Sequence, residues 1–367
     1  MNSQPTVIAC RGCGQKLRVP PERFGQPGKC PKCGRTFPAI GRAGGRRWTG
    51  RLTAAYVAGV AVALGLVWAV GEDWWPGTLL LYAPRWPVLL PLFPIGLAAA
   101  AYRRRALVPL VAAGTAWVWW GMGLAVGGAF AERVWPVDGL VVITWNANGH
   151  IRDWDGFRTL LATEAPDLVL FQECDAGEAE SAVQPGWTVA RSPSGLAAAS
   201  PHPVRFVAEL HPNAFRRPGS AALFEVSPAG RDVRVLNVHL PTARPGLEDV
   251  FGRGPGGLAE LKAVTADQDD ASETARVLAA APPHPLVVAG DFNLPPESRV
   301  FRRHWGDLPD AFTEAGFGFG WTKETSWHGA RIDHVLHDRS WTCQWCRVGP
   351  ALGSDHRPVI AHVGPVR

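Results

Sequence analysis

Apolar residues fall into two kinds of run along this chain: long ones near the front, and short ones with polar tips behind them. Residues 52–70 carry no charge and are about long enough to cross a bilayer core of roughly 30 Å, which predicts a membrane-spanning helix. Residues 86–102 and 106–130 predict a second and a third span, the second interrupted by Pro87, Pro91 and Pro94. Three such runs within residues 52–131 exceed what a soluble core needs. From residue 139 the pattern changes. Residues 139–145, 168–171, 233–240, 286–289 and 359–363 read as short strands, with further strands at 195–204, 205–210 and 221–226. Between them, residues 153–164 gather Trp154, Phe157, Leu160 and Leu161 on one side of a helix that Pro166 stops, and residues 258–281 predict another. Strands interleaved with helices predict an α/β domain over residues 132–367.

The polar chemistry sits at the strand tips. Residues 286–293 (LVVAGDFN) run from a buried strand into Gly290, Asp291 and Asn293, with prolines at 282, 283, 285, 295 and 296 limiting the strand on both sides. Asp291 and Asn293 lie two apart, so in extended chain they share a face while Phe292 turns back to the core. Asn146 and Asn148 follow the first strand of the domain, and Glu173 follows the second with no basic residue near it in sequence. Such a carboxylate suits a hard, oxygen-seeking cation such as Mg²⁺ or Mn²⁺. Asn237 and His239 share one face of an alternating strand, Asp333 enters a strand within RIDHVL, and Asp355 and His356 precede the last strand within SDHRP. An Asp next to a His in one strand cannot face it, so these two serve different partners. A natural arrangement orients His356 with Asp333 and turns Asp355 to the metal. The glycine-rich stretch through Gly252, Gly254, Gly256 and Gly257 reads as a flexible linker.

Charge divides the chain. Residues 1–51 hold eleven Lys plus Arg against Glu22 alone, a net of +10, and residues 52–131 add +2, which leaves residues 132–367 at −7 of the overall +5. The basic front end, not the α/β domain, sets the pI of 9.0, so the pI is poor evidence for binding a long polyanion. Cys10 and Cys13, then Cys30 and Cys33, form two CxxC pairs, each followed by glycine, at the spacing of a four-thiolate structural zinc site. A segment this short needs the metal for its stability. Nothing ahead of it resembles a signal peptide, which sets aside two disulfides and places this end in the reducing cytoplasm. Arg46, Arg47 and Arg51 precede the first apolar run and Arg103, Arg104 and Arg105 separate the second from the third. By the positive-inside rule, three spans of a cytoplasmic (inner) membrane then put the cysteines inside and the α/β domain outside. Cys343 and Cys346 read as packing residues.

The front segment resembles a zinc ribbon. The blocks NxN (146–148), QE (172–173), NVHL (237–240), GDFN (290–293), RIDHVL (331–336) and SDHRP (354–358) together resemble the endonuclease/exonuclease/phosphatase superfamily. That resemblance implies a four-layer α/β sandwich and metal-assisted hydrolysis of a phosphate ester. It further implies metal ligation by Asn146 and Glu173, with Asp355 at the metal or its water. Asp291 and Asn293 would orient water and phosphate oxygens, His356 held by Asp333 would be base or transition-state stabiliser, and His239 would bind the phosphate or help the leaving oxygen, with Asn148 and Asn237 on the substrate side. Asn148 and His239 both depart from the abasic-site endonuclease branch, which disfavours nucleic acid. Membrane spans ahead of such a domain resemble the membrane-anchored branch that includes glycopeptide-resistance proteins, implying a small or lipid-linked phosphate. A nuclease and a non-catalytic membrane scaffold, with the ribbon contacting an unidentified protein, are the competing readings.

Overall fold

A computed structural model describes residues 6–23, 26–38, 42–129, 139–148, 153–210, 219–253, 255–280, 286–324 and 328–366. The prolines at 282, 283 and 285 and the carboxyl end of the third apolar run, at Phe130, lie outside them. The chain divides into two compact units, Met1–Leu64 with Arg85–Gly121, and Gly65–Pro84 with Met122–Arg367. The cysteine hairpins thus share a unit with most of the apolar region, with no boundary at residue 51, and residues 65–84 and 122–131 belong to the α/β unit.

The first unit opens with two small antiparallel hairpins, β1 (Thr6–Ala9) with β2 (Lys16–Val19) and β3 (Pro27–Lys29) with β4 (Thr36–Pro38). Each turn carries one CxxC pair, and Gly14 and Gly34 take φ of +74° and +69° there. Helix α1 (Arg42–Gly65) follows, and Gly44–Asp73 is the one described helix long and apolar enough by itself to cross a bilayer. The second and third runs form shorter pieces: a 3-10 turn at Trp86–Leu89 with α3 (Leu92–Tyr102), and α4 (Leu107–Ala116) with a π turn at Trp117–Gly121. Prolines that lack an amide donor interrupt the second run, so three full-length spans are not seen among the described residues. Val62, Phe93, Leu97, Val108 and Val111 nonetheless stand exposed.

The second unit begins with α2 (Trp75–Tyr82) and then builds two mixed sheets. In the first, β5 (Leu140–Asn146) and β6 (Leu168–Gln172) run parallel at the centre, flanked by β8 (Ala197–Ser200) and β7 (Thr188–Arg191) on one side and by β17 (Val359–Pro365) and β16 (Trp341–Val348) on the other. In the second, β11 (Val233–His239) and β12 (Leu286–Asp291) run parallel, between β10 (Ser220–Val226) with β9 (Val204–Glu209) and β15 (Asp333–His337). Alternation decides the layers. Leu140 and Val142 point into the apolar core shared by both sheets, with Leu170, Phe224, Val235 and Val287. Val141, Ile143 and Trp145 point the other way, onto Phe157, Leu160 and Leu161 of α5 (Trp154–Glu164), near which lies α6 (Ala176–Ala182). The outer face of the second sheet packs on α8 (Pro255–Ala279) and α9 (Arg299–Trp305) through Ala271, Ala275, Phe301 and Trp305. The result is the expected helix–sheet–sheet–helix sandwich, with α10 (Ala311–Ala315) joining the shared core.

One expectation needs correction and another holds. The glycine-rich stretch is not a linker: α7 (Arg244–Arg253) and α8 cover it on either side of residue 254, which is not described. A Cβ on Gly257 would lie 2.1 Å from the Asp249 carbonyl oxygen, so glycine there permits close packing of the two helices. Cys343 and Cys346 are free, buried thiols in the inter-sheet core, as their reading as packing residues required.

Candidate active site

Strand direction alone brings the polar tips to one rim. Asn146 ends β5 beside Gln172 at the end of the parallel β6, and Glu173 follows directly. In the other sheet His239 ends β11 opposite Asp291 at the end of β12, and Asp291 in turn faces Asp333 at the start of the antiparallel β15. The carboxyl ends of the central pairs therefore meet, and the loop ahead of β17 adds Asp355 and His356. That loop is tied down by Ser354 Oγ donating to the Asn146 carbonyl (2.8 Å) and by Trp145 Nε1 donating to the His356 carbonyl (3.1 Å). Gly290 permits the tip of β12: its φ is +145° and a Cβ there would sit 1.9 Å from the Val238 carbonyl oxygen. Phe292 is fully buried against Phe301 and Trp305, which leaves Asp291 and Asn293 on the rim.

The contacts form one network. Asn146 Nδ2 donates to Glu173 Oε1 (3.0 Å) and Asp291 Oδ2 (2.9 Å), while Asn146 Oδ1 accepts from the Asn148 amide (2.9 Å). His239 Nε2 lies 3.3 Å from Glu173 Oε1 and 3.9 Å from Asp291 Oδ2. His356 Nδ1 meets Asp333 Oδ2 at 2.9 Å, so its Nε2 faces the cavity, 3.7 Å from Asp291 Oδ2 and 4.0 Å from Asp355 Oδ1. Asp291 Oδ1 accepts from the Asn293 amide (2.9 Å), and Asn293 Nδ2 donates to the Leu240 carbonyl (2.8 Å). Asn148, Glu173 and Asn293 hold positive φ at these tips (+47°, +50° and +52°), backbone strain of the kind that clusters where function fixes geometry. All of them, except the buried Asn146 and Asp333, line a half-open cavity of about 650 Å³.

Electrostatics follow from burial and neighbours. Burial, together with the Asp333 carboxylate, raises the pKa of Asp291. Burial works against the charged form of His356, yet Asp333 and Asp291 outweigh it and raise its pKa to about 9. Asp355 feels partial burial too, but Lys323 and Arg244 hold its pKa below the usual carboxylate range. Lys323 pairs with Asp355 directly, Arg244 reaches its Oδ2 at 3.3 Å, and Asn148 Nδ2 its Oδ1 at 3.2 Å.

Two donor sets are available to a divalent ion. Asp291, Asp333 and His356 offer atoms within 4.8 Å of one another, but the His356–Asp333 contact already engages that pair. Glu173 is exposed at the rim and gives Oε1 to Asn146, while Asp291 shares that amide and gives its other oxygen to the Asn293 amide, so Glu173 is the carboxylate placed for a hard cation, with Asp291 beside it. This donor set fits Mg²⁺ or Mn²⁺ chemically. The ribbon fits zinc: Sγ atoms of Cys10 and Cys33, and of Cys13 and Cys30, lie 3.6 Å apart, near the separation set by tetrahedral Zn–S bonds of about 2.3 Å.

One expected contact is misplaced. Asn237 is fully buried between the sheets, where its Nδ2 donates to the Phe171 and Ala197 carbonyls (3.1 Å each) and its Oδ1 accepts from Gln172 (2.7 Å), so it cannot touch a substrate. Tyr82, Arg244, Lys323 and His328 line the cavity without having been expected there. Arg244 and Lys323 were legible only as isolated cations in an acidic domain.

A family model described as the Endonuclease/Exonuclease/phosphatase family matches residues 143–356, more than half of the chain. The chain belongs to this family. It is accordingly a hydrolase of phosphoric esters that depends on a divalent metal. A search of curated proteins finds no match to it. Solved structures that resemble it include humanized zebrafish (D. rerio) TDP2, at 15% identity and a TM-score of 0.46, covering 62% of this chain and 99% of that one. Another is a mannosyl-6-phosphatase of Bacteroides thetaiotaomicron, at 15% identity and 0.43, covering 61% and 99%. The human Nocturnin catalytic domain with bound sulfate matches at 16% identity and 0.43, covering 63% and 97%.

Proposed function

We propose that this protein is a membrane-anchored phosphoesterase that hydrolyses a small or lipid-linked phosphate ester, with its α/β domain outside the cytoplasmic membrane and its ribbon inside. The observation that carries the reading is the convergence of Glu173, His239, Asp291, Asn293 and His356 on one half-open cavity. The charge of −7 on residues 132–367 disfavours a long polyanion as substrate. The apolar helix Gly44–Asp73 and the exposed apolar residues of α3 and α4 support the anchor.

Glu173 would hold the divalent ion, with Asn146 fixing it beside Asp291 and with Asp355 alongside. Bound there, the ion neutralises charge on the phosphoryl oxygens and makes water more acidic. The chain's own groups do the rest. Asp333 fixes the His356 ring so that Nε2 presents a donor to a phosphoryl oxygen, where charge grows as the P–O bond breaks. Asp291, bordering the same space, accepts the proton of the attacking water. His239 sits where it meets either the phosphate or the departing oxygen, and Asn293 orients the phosphate.

The test is hydrolysis by the full chain in detergent, on phosphomonoesters, diesters, pyrophosphates and plasmid DNA, with and without EDTA. Small esters should be cleaved only with Mg²⁺ or Mn²⁺ and faster than DNA. Cleavage of DNA at a matching rate would instead make the enzyme a nuclease. Reporter fusions after residue 131 test the topology, and a cytoplasmic signal would remove the cell-surface substrate.

A further inference from the structure

In sequence, residues 65–70 close the first apolar run and residues 71–85 connect it to the second. In the structure, Gly65–Pro84 is part of the α/β unit. Its attachment is specific. Glu72 is buried and accepts from the Arg299 amide at 3.0 Å, Asp73 pairs with the Arg299 guanidinium, and Arg302 donates to the Trp68 carbonyl at 2.7 Å while lying over the Trp68 ring. Both arginines sit on α9, the helix that follows directly on the GDFN tip. At its far end the segment reaches the site itself. Tyr82 lines the catalytic cavity beside His328, which hydrogen-bonds the Tyr82 backbone, and the Tyr82 hydroxyl donates to the Asn293 carbonyl at 3.0 Å. That carbonyl also accepts from Gln268 Nε2 at 3.1 Å. Asn293 has φ of +52°, the left-handed region that Asn tolerates better than most residues.

We propose that Gly65–Pro84 forms a wall of the active site, and that Tyr82 is a positioning residue whose hydroxyl fixes Asn293 while its ring lies against the group attached to the scissile phosphate. This inference rests on the phosphoesterase reading above. The hydroxyl acts through Asn293, so its removal alters the rate of the bound complex rather than substrate affinity. The ring touches the substrate's ester group, so its removal alters affinity as well.

Full-length Tyr82→Phe and Tyr82→Ala variants, assayed on p-nitrophenyl phosphate and on glycerol phosphate, separate the two roles. Tyr82→Phe should lower kcat about 3- to 10-fold on both substrates with KM unchanged, the loss of one well-placed hydrogen bond. Tyr82→Ala should in addition raise KM for the aryl ester more than for glycerol phosphate. A Tyr82→Phe enzyme with wild-type kcat, or one changed in KM alone, overturns the positioning role. A merely structural tyrosine would lower thermal stability and leave kcat per folded site untouched. If the wild-type chain cleaves no phosphate ester, the phosphoesterase reading falls by itself. Amide exchange over Asp291–Leu294 then decides this one: faster in Tyr82→Phe if the hydroxyl holds the loop, unchanged if it does not.

Discussion

The two ligand clusters of this chain are assembled by opposite routes. In the ribbon, Cys10 and Cys13 share one turn and Cys30 and Cys33 another, so two short hairpins suffice to gather the sulfurs. In the candidate active site, Asn146, His239, Asp291 and Asp333 come from separate strands, Glu173 follows a strand and His356 precedes one, and strand pairing brings them within reach. A cluster built from neighbours has little else to hold it and depends on its ion. A cluster built by two packed sheets is already in place before any ion binds.

The largest effect is expected at the groups proposed to be catalytic. Glu173→Gln and His356→Ala should each lower kcat/KM by about three orders of magnitude. Thermal melting should separate them, because Glu173 is an exposed side chain whereas removing His356 leaves Asp333 buried without its partner. Glu173→Gln should melt like wild type and His356→Ala lower. Activity surviving both substitutions would mean that the sheets assemble these residues for another purpose.

Asp333→Asn comes next, with kcat reduced about 10- to 100-fold through a ring that is no longer held. The same variant has a signature that needs no metal. In the metal-free wild type, burial disfavours the His356 cation, but Asp333 and Asp291 raise its pKa to about 9. The pair therefore contributes its full stabilisation below the unfolded histidine value of about 6.5 and loses it as pH rises through about 9. Imidazole NMR should show that titration, and it should move to lower pH in Asp333→Asn, where burial acts with one carboxylate fewer. An unmoved titration would mean that Asp333 does not govern His356.

How much of this was legible beforehand depended on how local each feature is. The CxxC pairs carry their geometry in a turn, and Asp291 and Asn293 do reach the rim as expected, though not in extended chain: β12 ends at Asp291 and Asn293 takes φ of +52°. The layered fold followed from alternation such as that of Val142 against Ile143, with each face buried by a different partner. Partners contributed by distant chain had no local signal. Tyr82 sits more than two hundred residues from Asn293, and nothing around it in sequence points to a cavity. Asn237 failed for the opposite reason. It shares a strand face with His239, but that face runs under the facing sheet before it reaches the rim, so two residues of displacement separate a core bridge from a cavity wall.

Asn237→Ala sharpens this point. It should cost about 1–3 kcal/mol, because Gln172 and two carbonyls lose their partner in a dry interior, and at about 2–4 °C per kcal/mol the loss is readable as a lower Tm. The enzyme that stays folded should keep its KM. A raised KM with unchanged Tm would return Asn237 to the substrate.

The smallest catalytic effect is expected from the ribbon. Replacing Cys10 and Cys30 with serine removes one sulfur from each hairpin, so about one zinc ion per chain should be lost by metal analysis. The hairpins at Thr6–Ala9 and Thr36–Pro38 should then exchange their amides freely, since strands this short bury too little to persist alone. Hydrolysis by the α/β unit should stay within about two-fold of wild type, because none of the residues lining its cavity comes from the ribbon. A collapse of activity on loss of the zinc alone would break the contrast, because the sheet-built site would then depend on the hairpin-built one.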